Sequence, residues 1–173
     1  MMQRRATRLV LPLVLVAALA VGVAIAAVAA MAGTRASGGT VMTAKSSKYG
    51  VILVGASGKT LYRFSRDGKN VSVCKGACAG FWPPLVLKAG VKPKAGSGVS
   101  AGLLGTMKRS KGLVQVTYAG FPLYWYSGDH KSGDVNGEGF KDYNGQWFVV
   151  NAKGALVKKA VSSGGGSSGG GWG

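Results

Sequence analysis

The stretch LYRFSRD, residues 61–67, recurs as LYWYSGD at residues 123–129. Both copies read Leu-Tyr-x-aromatic-x-x-Asp, and a glycine, Gly58 or Gly120, stands three residues before each leucine. A glycine before an aromatic, alternating segment and an acid behind it is typical of a turn, a strand and a closing turn. The copies form an internal repeat, so we expect a fold built from two related halves.

Within each copy, alternate side chains fall on opposite faces of the predicted strand. Tyr62 and Phe64 therefore share one face in the first copy, and Tyr124 and Tyr126 share one face in the second. Trp125 lies between the two tyrosines and points to the other side. We expect the paired rings to be core residues whose hydroxyl groups need hydrogen-bond partners.

An aspartate, Asp67 or Asp129, closes each copy. A pair of acids could act as a catalytic carboxylate pair, as in glycosidases. We favour a structural role, because each acid follows a strand and its carboxylate can accept backbone N–H groups in an Asx-type turn. The motif positions interpreted as mainly structural are Tyr62, Phe64, Asp67, Tyr124, Tyr126 and Asp129.

The remaining segments predict further short strands and no sustained helix outside the N-terminal region. Residues 51–65 predict a hairpin with a four-residue loop, and residues 147–157 predict a closing hairpin. The two prolines in residues 81–87 exclude the middle of a sheet and indicate an edge or a crossover. The predicted fold is all-β: two related β-hairpin-based halves, about residues 40–87 and 102–159, form one small β domain at 40–160.

Both ends of the chain lie outside that domain. Residues 1–32 combine a basic start with an apolar run, which predicts a hydrophobic signal peptide or an uncleaved signal-anchor helix. The basic start places the N-terminus in the cytoplasm, so the domain is expected outside the cell, secreted or tethered to the outer face of the cytoplasmic membrane. Residues 33–39 are interpreted as a tether, and residues 161–173 as a Gly/Ser-rich flexible tail.

The charge balance is strongly basic. The formal net charge is +17, and subtracting the three signal arginines leaves +14. Outside the membrane, the anionic partners at hand are cell-wall polymers and lipid headgroups. We therefore expect these classes of partner, membrane contact through the N-terminal segment if it is uncleaved, and no nucleic acid.

Two cysteines, Cys74 and Cys78, flank the short sequence CKGAC. In an oxidising compartment they are expected to form a disulfide, which in so small a loop contributes about 2 kcal/mol. The alternative is a redox or soft-metal pair, for which the chain offers His130, Met42 and Met107 as further ligands. This set is thin, so we predict no cofactor and no confident metal site.

Four of the five acids lie in one loop between residues 129 and 145. The sequence of residues 134–139 imitates the start of a calcium loop, but the twelfth position is Gly145, which excludes a complete EF-hand. Two interpretations stay open, a turn-rich loop screened by lysines and a weak cation site. The candidate ligands of that site are Asp129, Asp134, Asn136, Glu138 and Asp142.

Two tryptophans, Trp82 and Trp125, are candidate ligand-facing aromatics for a sugar or a peptide. Catalytic constellations are absent from the sequence. It contains no Ser/His/Asp order, no Cys/His pair with a supporting third group, and no phosphate-cradling glycine loop before a helix. We therefore expect a protein that is not an enzyme.

The order of these motifs resembles a family of bacterial secreted repeats, generally described as predicted lipoproteins with a Yx(FWY)xxD motif and unknown function. The resemblance covers about residues 40–159. It rests on both motif copies and on the residues between them, Cys74, Gly76, Cys78, Ala79, Trp82, Pro83, Pro84 and Leu85. No cysteine lies near the signal, so a lipid anchor is not expected here. The resemblance implies fold and location and no particular chemistry.

The sequence therefore predicts an exported, envelope-associated β-rich protein of unknown biochemical activity, acting as a non-catalytic binding or structural module. The alternative is an extracytoplasmic redox or metal-handling protein that uses the pair Cys74 and Cys78.

Overall fold

A computed structural model describes residues 38–158 of the chain. The predicted signal or anchor, most of the predicted tether and the Gly/Ser-rich tail lie outside these residues. The described part is nearly all β: ten short strands are accompanied by one short α-helix and one 3-10 turn. The predicted fold class is therefore confirmed. Within residues 38–158, no helix has the length and apolar character needed to cross a membrane.

The first half opens with an antiparallel pair, β1 (Thr40–Ser46) and β2 (Gly50–Gly55). A tight turn follows, in which Gly58 adopts a positive φ of 75° and its N–H donates to the carbonyl of Gly55 at 2.9 Å. The chain then returns along β2 through an antiparallel bridge between Val54 and Thr60, which is the predicted hairpin. The first motif copy continues from it as β3 (Tyr62–Phe64).

The end of the first half and the connection to the second half carry little regular structure. They contain the helix α1 (Ala77–Phe81), the strands β4 (Val86–Lys88) and β5 (Lys94–Ala95), and the 3-10 turn Ala101–Leu103. The segment predicted as an edge or a crossover, residues 81–87, runs from the end of α1 into β4, which lies at the end of its sheet.

The second half repeats the plan of the first. An antiparallel pair, β6 (Leu104–Lys108) and β7 (Leu113–Tyr118), is followed by a tight turn at Gly120 and by β8 (Phe121–Pro122). The last strands are β9 (Lys141–Asp142) and β10 (Gly145–Val149). An antiparallel bridge between Val150 and Leu156 then closes the predicted final hairpin.

The strands form three small sheets, two of which draw on both halves. Their orders are β2-β1-β5, β3-β10-β9 and β4-β7-β6, with β8 also paired to β7. The pairing of β3 with β10 joins a strand of the first half to the end of the second. The pairing of β4 with β7 joins the crossover to the second half. The halves are therefore interleaved.

The central strands are buried on both faces, so the domain has two apolar cores. Alternation along β2 places Ile52 and Val54 in the first core and Leu53 in the second. In the same way, Leu61 and Leu123 belong to the second core, whereas the neighbouring motif tyrosines belong to the first. Burial on both faces explains why these strands read as nearly continuous apolar runs.

Candidate functional site

The two motif copies exchange their polar contacts. The hydroxyl of Tyr62, in the first copy, donates to Oδ2 of Asp129 in the second at 2.7 Å. The hydroxyl of Tyr124, in the second copy, donates to Oδ2 of Asp67 in the first at 2.6 Å. Each aspartate therefore serves the tyrosine of the other copy. The repeat is a reciprocal lock between the halves.

The backbone repeats the same exchange. The N–H of Tyr62 donates to the carbonyl of Tyr124 at 2.9 Å, and the N–H of Tyr124 donates to the carbonyl of Tyr62 at 3.0 Å. This antiparallel bridge places the two tyrosines beside each other, and both are fully buried. The two copies thus meet at their second residues, and each tyrosine is positioned to reach across to the other copy's acid.

The second oxygen of each motif carboxylate accepts a backbone N–H further along its own loop. Oδ1 of Asp67 accepts from Val73 at 2.8 Å, and Oδ1 of Asp129 accepts from Asn136 at 3.0 Å. The predicted acceptance of backbone N–H groups is therefore present, but over six and seven residues, which is longer than an Asx-type turn. A local turn was the wrong prediction. Each acid instead fixes an extended loop to the opposite half.

Burial governs the protonation of these groups. It raises the pKa of both Asp67 and Asp129, against the lowering effect of the tyrosine hydrogen bonds. Burial also raises the pKa of Tyr62 and of Tyr124 further above the usual value, and the adjacent carboxylates add to that rise. Both hydroxyls stay protonated and act as donors. The motif tyrosines and aspartates therefore hydrogen-bond to one another.

Four aromatic rings form a continuous stack through the first core. Phe64 stacks on Trp147 at a centroid distance of 4.4 Å, Trp147 on Trp82 at 3.9 Å, and Trp82 on Tyr126 at 4.2 Å. The outer rings are the second aromatic residues of the two motif copies. The inner rings are two tryptophans that occupy matching places in the two halves.

Trp82 is therefore not a ligand-facing aromatic, and that prediction was wrong. Its side chain is fully buried between Trp147 and Tyr126. The indole N–H groups of both tryptophans donate to one carboxylate, Asp142: Trp82 to Oδ2 at 2.9 Å and Trp147 to Oδ1 at 2.6 Å. The sequence did not indicate that the two tryptophans are partners, because their neighbours differ.

The acidic loop does not form the predicted cation site. Asp129 is engaged by Tyr62, Asp142 by the two indoles, and Asp134 by the backbone N–H groups of His130 and Lys131. Across residues 38–158, no cluster of three or more His, Cys, Asp or Glu side chains is arranged to hold a metal. These acids accept hydrogen bonds that shape the loop. Asn136, the one candidate ligand that is not an acid, donates through Nδ2 to the carbonyl of Gly128 at 3.0 Å.

Glu138 is the acid in this loop with the most perturbed titration. Its Oε2 accepts the backbone N–H of Val149, which fastens the loop to β10. Burial raises the pKa of Glu138 from 4.5 to about 7, although the hydrogen bond from Val149 lowers it. A carboxyl group in this position is half protonated near neutral pH.

The predicted disulfide between Cys74 and Cys78 is present, and both residues are buried in the first core. The carbonyl of Cys74 accepts from Nη2 of Arg109 at 3.2 Å. Nη1 of the same guanidinium donates to Ser72 Oγ at 3.1 Å and to Gln115 Oε1 at 2.7 Å. The disulfide loop is therefore held against the second half by one arginine.

Two grooves lie at matching places in the two halves and are lined by lysine or arginine. The first basic groove has a volume of about 500 Å³ and is lined by Asn70, Val71, Ser72, Lys75, Met107, Lys108, Arg109 and Ser110. The second basic groove has a volume of about 460 Å³ and is lined by Lys45, Ser46, Ser47, Lys48, Gly133, Asp134, Val135 and Asn136. Each combines a strand-to-strand turn of one half with the loop behind the motif acid of the other copy.

A third groove, the Trp125 groove, opens beside the second motif copy. Its volume is about 360 Å³, and it is lined by Ser57, Lys59, Pro83, Trp125, Tyr126, Ser127 and Asp129. Trp125 is half-buried and packs against the second core, on the opposite face from Tyr124. The predicted alternation along the motif is therefore correct.

The domain is all-β, contains a disulfide, and has two motif copies that hydrogen-bond to each other. These features fit the class of extracytoplasmic repeat proteins. The comparison with known families agrees. The chain belongs to a family described as a secreted repeat of unknown function, whose model matches residues 34–86 and 105–151, one match for each half. No curated protein and no solved structure matches the chain. The family supports the extracytoplasmic location.

Proposed function

We propose that the protein is an envelope-associated, non-catalytic binding module that recognises anionic polymers outside the cytoplasmic membrane. The observation that carries this proposal is the reciprocal lock between Tyr62 and Asp129 and between Tyr124 and Asp67. The repeated residues, which are the obvious candidates for chemistry, are buried and satisfied by one another. These residues stabilise the fold, and the proposed binding sites therefore lie among the surface residues.

The charge of that surface favours anionic partners. All five Asp and Glu residues lie within residues 38–158, together with every Lys and Arg except Arg4, Arg5, Arg8, Arg35 and Lys159. Each acid accepts a hydrogen bond from a tyrosine, a tryptophan or the backbone. Four of the five acids therefore hold buried or partly buried contacts, Asp134 holds an exposed turn, and the basic groups dominate the exterior field by number.

The two basic grooves are the places where a polyanion would be held. Lys75 and Lys108 are exposed in the first groove, and Lys45 and Lys48 are exposed in the second. Two cationic sites on one rigid domain favour a repeating polymer over a small anion, because the second contact is then made at high effective concentration. The N-terminal apolar segment, if uncleaved, would hold the domain near such polymers.

Cosedimentation with isolated cell-wall material tests this proposal, with the full chain purified in mild detergent. We expect the protein to cosediment at low ionic strength and to be released by about 0.5 M salt, as screening requires. The variant Lys75→Glu/Lys108→Glu should bind about fivefold more weakly, because it reverses two groove charges. The control Lys153→Glu reverses an exposed charge in the closing turn and should have a smaller effect.

Vesicles that contain phosphatidylglycerol separate polymers from lipid headgroups in the same assay. Stronger binding to vesicles than to wall material would contradict the polymer assignment and favour the membrane surface. Equal binding by wild type and the double variant to both would contradict a role for the grooves.

The redox or metal-handling alternative has less support. Cys74 and Cys78 are 1% and 4% exposed, so an exchanging thiol has little access to the disulfide. A thiol titration with and without reductant, joined to metal analysis, tests this alternative. An inert oxidised pair without metal would remove it, and rapid exchange with a small thiol would restore it.

A further inference from the structure

The two motif copies differ most at their third residue, which is Arg63 in the first and Trp125 in the second. The exchange between the copies makes these positions directly comparable, because each lies on the face opposite to the motif tyrosine. The surroundings of the two side chains show what each half does with the same place in the fold.

In the first copy this position is closed. The guanidinium carbon of Arg63 lies 3.4 Å from the ring centroid of Phe121, which stands two residues before the second motif copy. Nη1 of Arg63 donates to the carbonyl of Gly154 at 2.7 Å. Arg63 is buried as a result, and burial lowers its pKa to about 10. No room is left there for a ligand.

In the second copy the matching position is open. The residue that corresponds to Phe121 is Lys59, which stands two residues before the first motif copy. Its ammonium group does not cover the indole but donates to the backbone carbonyl of Asp129 at 3.1 Å. One end of the indole rests on Gly55, where a Cβ atom would come within 2.1 Å of Cη2. Trp125 is therefore supported from behind and faces the groove.

The chemistry of the Trp125 groove suits one sugar ring. Trp125 and Pro83 supply flat apolar surfaces, which suit the C–H face of a pyranose. Ser57 and Ser127 are exposed at the rim and supply hydroxyl groups for the hydroxyl edge of the ring. The volume of about 360 Å³ lies at the lower end of the range for ligand pockets and accommodates a single ring.

The charge at the groove selects among sugars. Lys59, whose ammonium group donates to the carbonyl of Asp129, lines the same groove as the indole. The carboxylate of Asp129 accepts the hydroxyl of Tyr62 and is only 3% exposed. An acidic sugar, with a carboxylate or phosphate on its ring, matches this combination of a flat face and a cation.

We propose that the Trp125 groove binds one ring of an acidic polysaccharide, with the ring stacked on the indole and its anionic group beside Lys59. This inference rests on the proposed function, since it identifies the polymer class and the point at which the domain reads it. The basic grooves then supply affinity for charge, and the Trp125 groove supplies preference for a sugar.

Binding of polygalacturonate, polyglutamate and dextran to the full chain tests this inference. Polygalacturonate carries acidic rings, polyglutamate carries the same charged group without rings, and dextran carries rings without charge. We expect wild type to prefer polygalacturonate over polyglutamate of equal charge by about tenfold, which corresponds to about 1.4 kcal/mol. Trp125→Leu should remove that preference and leave polyglutamate binding unchanged. Trp125→Phe should retain most of the preference.

The substitutions are chosen so that a folding defect is not mistaken for lost recognition. Leucine keeps an apolar side chain against the second core, and the thermal midpoint of each variant is measured beside its affinity. A matched control is Tyr143→Asn, which removes an exposed ring at a position with φ of 47°, where asparagine is tolerated. It should bind all three probes as wild type does.

The outcomes separate the inference from the proposed function. If wild type prefers polygalacturonate and Trp125→Leu keeps that preference, the Trp125 groove is not the site. If wild type binds polyglutamate and polygalacturonate equally, the inference fails while anionic binding stands. If wild type binds neither polyanion, the proposed function fails as well.

Discussion

Replacement of Tyr62 by phenylalanine removes one hydroxyl group and little else. The hydroxyl donates to Asp129 Oδ2 at 2.7 Å and accepts the backbone N–H of Gly137 at 3.3 Å. Asp129 is only 3% exposed, so water does not readily replace the lost donor. Hydrogen bonds to charged groups contribute about 1.5–3 kcal/mol. We expect Tyr62→Phe to lower the free energy of unfolding by about 2 kcal/mol and to leave the protein folded.

A double-mutant cycle shows whether that loss belongs to the exchange between copies. Tyr62→Phe is combined with Asp129→Asn, and separately with Asp67→Asn, the acid of its own copy. Urea unfolding is followed by tryptophan fluorescence, because Trp82 and Trp147 are fully buried in the stack. The pair Tyr62 and Asp129 should couple by about 1 kcal/mol or more, and the pair Tyr62 and Asp67 by less than about 0.5 kcal/mol. Equal coupling in both pairs would refute the reciprocal lock.

Three further variants test the other contacts of the site. Glu138→Gln should flatten the pH dependence of stability. Because the pKa of Glu138 is raised to about 7, the wild-type native state retains a proton that the unfolded chain releases above pH 4.5, so wild-type stability falls by about 1 kcal/mol as the pH rises from 4.5 to 7. An unchanged slope in the variant would contradict this. Cys74→Ser/Cys78→Ser should lower the free energy of unfolding by about 2 kcal/mol, measured by urea titration, whereas an unchanged midpoint would show that the disulfide adds nothing. Asp142→Asn leaves one of two indole N–H groups without an acceptor, so it should lower the free energy of unfolding by about 2 kcal/mol and shift the tryptophan emission. The control Asp134→Asn should lower it by under about 1 kcal/mol, because Asp134 accepts only two backbone N–H groups in an exposed turn.

The local sequence pattern correctly predicted those features of the fold that depend only on residues close together in the chain. The hairpin at residues 51–65 is present because an apolar strand, a glycine turn and an alternating strand follow each other directly. The opposite orientation of Trp125 and Tyr124 follows from strand geometry alone. The disulfide between Cys74 and Cys78 was predicted because an exported chain with only two cysteines, close in sequence, most simply pairs them.

The contacts between the two halves could not be predicted from local sequence patterns. Tyr62 and Asp129 are 67 residues apart, and nothing in either copy states which acid a tyrosine will meet. A local turn was the simplest expectation, and it was wrong because the copies pair with each other at Tyr62 and Tyr124. A comparison of the two halves for exchangeable polar pairs would have raised the correct alternative.

The prediction that Trp82 faces a ligand was wrong for a related reason. Trp82 stands before two prolines, whereas Trp147 stands before Phe148 in a regular strand, so their equivalence is hidden by different neighbours. Read alone, Trp82 suggested a surface platform, and the acids nearby suggested a cation site. The structure joins the two observations, because Asp142 accepts both indole N–H groups.

The central claim is that the tyrosines and aspartates shared by the two motif copies are framework, and that binding lies at residues where the copies differ. The most direct test measures unfolding and binding together in Asp67→Asn, whose side chain lines none of the three grooves, keeps its size and can still accept a backbone N–H through Oδ1. The free energy of unfolding is taken from urea titration, and affinity for polygalacturonate is measured well below the thermal midpoint. We predict a loss of stability of about 2 kcal/mol or more with unchanged affinity. Unchanged stability with lost affinity would contradict the claim and make Asp67 part of the binding site.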